Sequence, residues 1–167
     1  MKTYNSKLIV LRGNSGSGKT TVAKRLREIS NRKIAYVEQD NIRRTILKEK
    51  ETDDGANIAL IEQIVKFALA RDYDVILEGI LNFPRYGAML KELTKKCPDN
   101  YLYYFDVSFK ETLKRHATKP NAYEFGAKEM KQWYRPHDLT GFKNEKIIPE
   151  DYSLEEIVNT IVEDSGL

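Results

Sequence analysis

A chain of 167 residues, 41% hydrophobic and 32% charged, is sized for one domain with a sizeable core. A formal net charge of +3, with no block of like charges, gives no support to a nucleic-acid or membrane surface, and no apolar run approaches membrane-spanning length. The single cysteine, Cys97, cannot close an intramolecular disulfide; with an N-terminus that reaches its first strand within a few residues, this predicts a cytoplasmic protein.

Leu8 to Leu11 is a short apolar run that predicts a buried strand. It leads into Gly13-Asn14-Ser15-Gly16-Ser17-Gly18-Lys19-Thr20, which fits the phosphate-binding pattern G-x-x-x-x-G-K-[ST]. Val22, Leu26 and Ile29 then mark one face of a helix. With a strand before it and a helix after it, the loop has the context that this pattern requires. Its glycines let successive N–H groups turn inward at the positive end of the helix. Lys19 can reach the β- and γ-phosphates and the Thr20 hydroxyl can ligate magnesium, with Thr21 beside it as a further nucleotide contact. The expected ligands are ATP and Mg²⁺.

Ile34 to Glu38 predicts a second strand, and Asp40 is placed to cap a short helix containing Ile42 and Ile46. Glu51 to Gly55 is a polar loop, and Ile58, Ile61, Ile64, Val65, Ala68 and Leu69 form a helical stripe. Asp74 to Gly79 predicts a third strand ending on Glu78, and a loop with Pro84 leads to a helix carrying Tyr86, Met89, Leu90 and Leu93. Cys97 continues the spacing of Leu90 and Leu93, which predicts packing rather than reactivity. Tyr101 to Val107 predicts an aromatic-rich fourth strand. Ser108 with Glu111 has capping-box spacing, and the helix it opens stops at Lys119-Pro120. A helix from about Gly126 to Arg135, a fifth strand from Glu145 to Ile148 and a last helix capped by Ser153 and Glu156 complete the chain.

Strands that alternate with helices predict a parallel sheet covered on both faces, with the ligand crevice at the strand C-terminal edge. The phosphate loop, Asp40, Glu78 and Asp106 all fall at that edge. Asp40 has two compatible readings, a helix cap and a general base that accepts the proton of an acceptor hydroxyl. Glu78 is expected to orient a magnesium-bound water or the acceptor, the plain alternative being a strand-end acid facing solvent. Asp106 reads as structural. Arg43 and Arg44 open the short helix where an acceptor would lie, although neighbouring helical residues point in different directions. Arg85 is a weaker candidate. Arg115 and Arg135, at the borders of a cation-rich segment, are expected to meet phosphate charge, whereas Lys128 and Lys131 read as a solvated face. His116 and His137 lack metal-ligand spacing.

The stretches Leu11-Arg12-Gly13 to Thr20, Val37-Glu38-Gln39-Asp40, Leu77-Glu78-Gly79-Ile80, Arg115 to Pro120 and Trp133-Tyr134-Arg135-Pro136 resemble the P-loop kinases of small molecules. That group includes gluconate kinase, chloramphenicol phosphotransferase and the zeta-toxin sugar-nucleotide kinases, and the likeness extends to small bacterial P-loop kinases with no assigned substrate. The resemblance implies a three-layer P-loop NTPase fold, a five-stranded parallel sheet of order 2-3-1-4-5, and a small mobile helical lid near residues 115 to 138. It also implies that Asp40 is the hydroxyl-activating base and that lid arginines, Arg115 and Arg135, contact phosphates. The expected activity is transfer of the γ-phosphoryl of ATP to a small-molecule hydroxyl. A nucleoside or nucleoside monophosphate kinase is the alternative; it would bind its phosphate through Arg43, Arg44 or Arg85 and would not need Asp40 as a base. A GTPase would need an N-K-x-D segment, which the chain lacks. A nucleotide-binding switch without an acceptor stays open.

Overall fold

The computed structural model describes residues 5–120 and 122–167. Strands β1 (Leu8–Gly13), β2 (Ile34–Glu38), β3 (Asp74–Gly79), β4 (Asn100–Asp106) and β5 (Glu145–Pro149) form one parallel sheet in the order β2-β3-β1-β4-β5. Its helices are α1 (Lys19–Ile29), α2 (Ala56–Leu69), α3 (Phe83–Lys96), α4 (Phe109–Ala117), α5 (Ala127–Trp133) and α6 (Leu154–Ser165), with a short π-helical turn at Asn41–Ile46. The central strands β1 and β3 are buried along their whole length, as strands covered on both faces must be.

Alternate side chains of β1 feed two separate cores. Leu8 and Val10 join Val75 and Leu77 under α2 and α3, packing on Ile61, Val65, Leu90 and Leu93. Ile9 and Leu11 join Ile76, Tyr103 and Phe105 under α1 and α6, packing on Val22, Leu26, Val158 and Ile161. Cys97 lies in the first core, its thiol pushed up to about 11 by burial, consistent with packing rather than reactivity. Among the described residues, no helix is long and apolar enough to cross a membrane.

Two local expectations change. Pro84 belongs to the first turn of α3, where its missing N–H is no loss, behind an Asn82 side chain that accepts from Arg85 N at 3.2 Å. Asp40 does not cap a helix. Its backbone is already helical (φ −65°, ψ −36°), because the helical winding begins at Gln39, and its carboxylate accepts instead from Arg43 Nη2 at 3.2 Å. Elsewhere the caps follow the sequence: Ser153 and Glu156 bond reciprocally at α6, and Ser108 accepts from Glu111 N at 3.3 Å.

Candidate active site

The phosphate loop closes the C-terminal end of β1 and opens α1. Gly16 has φ 81°, and a Cβ there would stand 2.6 Å from Thr112 O, so the turn tolerates no side chain. Lys19 folds back over the loop, donating to Asn14 O at 2.9 Å and Ser17 Oγ at 3.2 Å. It is only 6% exposed, and its ammonium is lowered to about 8, chiefly by burial, with Glu78 opposing the shift, the charge of Lys119 adding to it and Asp40 opposing it. A cation kept dry and tied only to a backbone carbonyl and a hydroxyl is one that anionic phosphates can take over.

Glu78, the penultimate residue of β3, lies beside Leu11 of β1 and Glu38 of β2. It is 3% exposed, so it does not face solvent. One of its oxygens accepts from Thr20 Oγ1 at 2.8 Å and from Tyr36 OH at 2.9 Å. Burial, then the neighbouring carboxylate of Glu78, pushes the Tyr36 phenol well up, so it stays a donor. Glu38 is raised by burial and then by Glu78 and Asp40. Among the described residues, no group of three or more His, Cys, Asp or Glu could hold a metal by itself. A hydroxyl and a carboxylate oxygen 2.8 Å apart beside a phosphate loop nevertheless suit Mg²⁺, which takes one or two protein oxygens and fills its octahedron with phosphates and water.

A cleft of about 490 Å³ opens from Ser15 of the loop and is lined by Asp40, Arg43, Arg44, Arg85 and Arg135 among others. The sequence candidates divide here. Asp40, Arg43, Arg44 and Arg135 share the cleft, whereas Glu78 and Arg115 do not line it. Glu78, expected to orient a magnesium-bound water or the acceptor, is bonded to Thr20 at the loop. Arg115 clasps the loop: Nη1 donates to Ser17 O at 3.0 Å, Nη2 to Glu150 O at 2.8 Å, and Nε to Glu111 Oε1 at 2.9 Å.

Arg135 is fixed by its backbone. Its N–H donates to Asn14 Oδ1 and its carbonyl accepts from Asn14 Nδ2, both at 2.8 Å, and from Tyr104 OH at 3.2 Å. Asn14, the first variable residue of the loop, thus uses its side chain as a clamp. The sequence also hides Arg12. Fully buried at the end of β1, it meets Asp138 at 2.9 Å and Glu145 at 2.7 Å, and donates twice to Leu81 O. The segment Arg135 to Asp138, assigned to the mobile lid from sequence, is therefore bolted to β1 and β4. Asp106 pairs with His137 Nδ1 at 3.0 Å, in keeping with a structural part.

A family model described as an AAA domain matches residues 8–136. The chain belongs to that family. Solved structures carry the same fold as this AAA-domain chain over nearly its whole length. An APS kinase from Mycobacterium tuberculosis, solved with AMPPNP and APS, has a TM-score of 0.73 at 16% identity, covering 99% of each chain. A gluconokinase from Sinorhizobium meliloti has a TM-score of 0.65 at 16% identity, covering 99% of this chain and 94% of that one. A sugar kinase from Janibacter sp. has a TM-score of 0.70 at 14% identity, covering 95% and 93%. No curated protein matches the sequence. At these identities the likeness establishes a P-loop kinase fold, in the sheet order that the resemblance implies.

Proposed function

We propose that the protein transfers the γ-phosphoryl group of ATP to a hydroxyl of a small molecule held in the cleft. The observation that carries this is the juxtaposition of two half-sites across Ser15. On one side stand the loop, the buried Lys19 and the Thr20–Glu78 pair; on the other lies a cleft with the Asp40 carboxylate in its wall. Family membership and the kinase fold support the same reading.

The loop N–H groups and Lys19 hold the β- and γ-phosphates and neutralise charge that grows as the bond breaks. Thr20 and Glu78 would hold Mg²⁺, which when bound draws charge from the phosphate oxygens, and Tyr36 keeps Glu78 oriented. The acceptor hydroxyl oxygen attacks the γ-phosphorus, the bond to the β–γ bridging oxygen breaks, and ADP leaves with that electron pair. The hydroxyl proton passes to Asp40, which is half exposed and held by Arg43 alone among the described residues. Arg115 supports the loop, and residues 118–120 and 122–134, between its anchor and that of Arg135, close over the reacting groups to exclude water.

Release of ADP, measured over hydroxylated metabolites, antibiotics, nucleosides and monophosphates, tests this. Asp40→Asn should lower turnover on the true acceptor about 10²–10⁴-fold with ATP affinity unchanged. Because Asp40 caps nothing, its melting temperature should also hold. Full turnover in that variant would remove Asp40 from the mechanism and favour a phosphate acceptor.

A further inference from the structure

The walls of the cleft say more about the acceptor than its hydroxyl. Five cationic side chains line it, Arg43, Arg44, Lys50, Arg85 and Arg135, against two carboxylates, Asp40 and Glu51. Their pairings show which cations are already spent. Arg43 is held by Asp40 and Glu51, and Arg85 by Asp53 at 2.7 Å with Glu51 at 3.5 Å. Arg44 has only a loose pairing with Glu124 at 3.8 Å. Among the described residues, the Arg135 guanidinium and the Lys50 ammonium have no hydrogen-bond or ion-pair partner.

Arg135 is the telling one. An arginine that merely solvates itself at a surface needs no fixed backbone, yet the Asn14 clamp and Tyr104 hold this backbone by three hydrogen bonds. The held backbone fixes where the side chain starts, and the unpaired guanidinium leaves a free cation in the cleft wall for an anion to meet. The opposite character stands in the same wall. Phe125 and Trp133, both lining the cleft, meet edge to face at 5.1 Å, with His116 stacked on Phe125 at 4.5 Å, and Trp133 is 43% exposed. A flat apolar surface beside unpaired cations matches a ligand with a planar ring and a negative group.

We propose that the acceptor is an anionic, ring-bearing molecule of nucleotide size and type, anchored by Arg135, Lys50 and Arg44 and stacked on Phe125 and Trp133. The inference rests on the cleft being the acceptor half of the site, and it concerns the anchor rather than the group attacked. A cleft of about 490 Å³ is the size of a small-molecule pocket and suits a single nucleotide unit better than a strand of nucleic acid.

Trp133 is the only tryptophan in the chain, so its fluorescence reports this cleft directly. With the nucleotide site saturated by a non-hydrolysable ATP analogue and Mg²⁺, Trp133 emission is titrated with nucleoside 5′-monophosphates, the matching nucleosides, ribose 5-phosphate and a short oligonucleotide. At least one monophosphate should bind about tenfold or more tightly than its nucleoside, the scale of a charge-assisted contact, and more tightly than ribose 5-phosphate. Arg135→Gln and Lys50→Gln should each erase most of the preference over the nucleoside while leaving nucleoside affinity and the melting temperature in place.

Equal binding of monophosphate and nucleoside, no response to any anion, or tighter binding of the oligonucleotide would overturn the proposal. Turnover of a neutral alcohol with no gain from charge would do so as well, while leaving the kinase reading intact. Conversely, a kinase-dead protein that still shows the charge preference would sink the kinase reading and spare the anion site.

Discussion

Lys19 concentrates the conflict between folding and function in one side chain. Burial lowers its ammonium from 10.5 to about 8 in the free protein, so the fold is carrying a cation that it has partly desolvated. Between about pH 8 and 10.5 the unfolded chain holds a proton that the folded chain has released, so this residue makes stability rise with pH across that window. Lys19→Met should accordingly raise the melting temperature of the nucleotide-free protein at pH 7, by a stabilisation on the order of 1–3 kcal/mol. It should also flatten the rise in stability with pH and abolish turnover by orders of magnitude. Thermal melts across pH check the first two, and ADP release the third; a variant that is less stable at neutral pH would contradict the account. Phosphates favour the charged ammonium, so ATP binding above about pH 8 should take up a proton and weaken as pH climbs. Calorimetry in buffers of different ionisation enthalpy would detect that proton.

Among the elements, α5 and the stretches flanking it decide how the site can move. The sequence marks out a proline-bounded, cation-rich segment, because Pro120, Gly126 and Pro136 are local punctuation. What it cannot show is where the segment is tied down, since the ties are made by residues distant in the chain. Asn14 reaches Arg135 across 121 positions, and Arg12 reaches Asp138 across 126. Hydrogen exchange should separate the two parts. Amides of residues 118–134 should gain protection when ATP and an acceptor analogue bind, whereas Arg135 N–H and Asp138 N–H should be slow in both states. Uniform behaviour across the whole stretch would argue against a lid with a fixed hinge. The Asp40 region teaches a related lesson. An acid after a strand and before a helix is a fair capping signal, but the helix had already begun and the carboxylate was left for Arg43.

At the scale of the molecule, the alternation of strands and helices and the glycine-rich loop were legible because both are written in local pattern. The buried arginine was not. Arg12 follows four apolar residues at a strand end, where an arginine ordinarily reaches solvent, and its acids lie far along the chain. Removing one member of such a buried trio leaves uncompensated charge, so Arg12→Met should cost about 3–5 kcal/mol, read as a fall in the denaturation midpoint. Replacing Arg12, Asp138 and Glu145 together by apolar residues should restore much of that loss; a single variant as stable as the parent would show that the trio is not coupled. The trio also partitions the chain into parts that can and cannot be exchanged. It joins the end of β1, the carbonyl of Leu81, the stretch after α5 and the start of β5 into one fixed frame. Three cleft-lining residues, Phe125, Gln132 and Trp133, lie outside that frame, between its members. Grafting residues 118–134 from a relative should therefore transplant part of the acceptor pocket as a cassette, whereas a graft that crosses position 138 must bring its own partners for Arg12 or fail to fold.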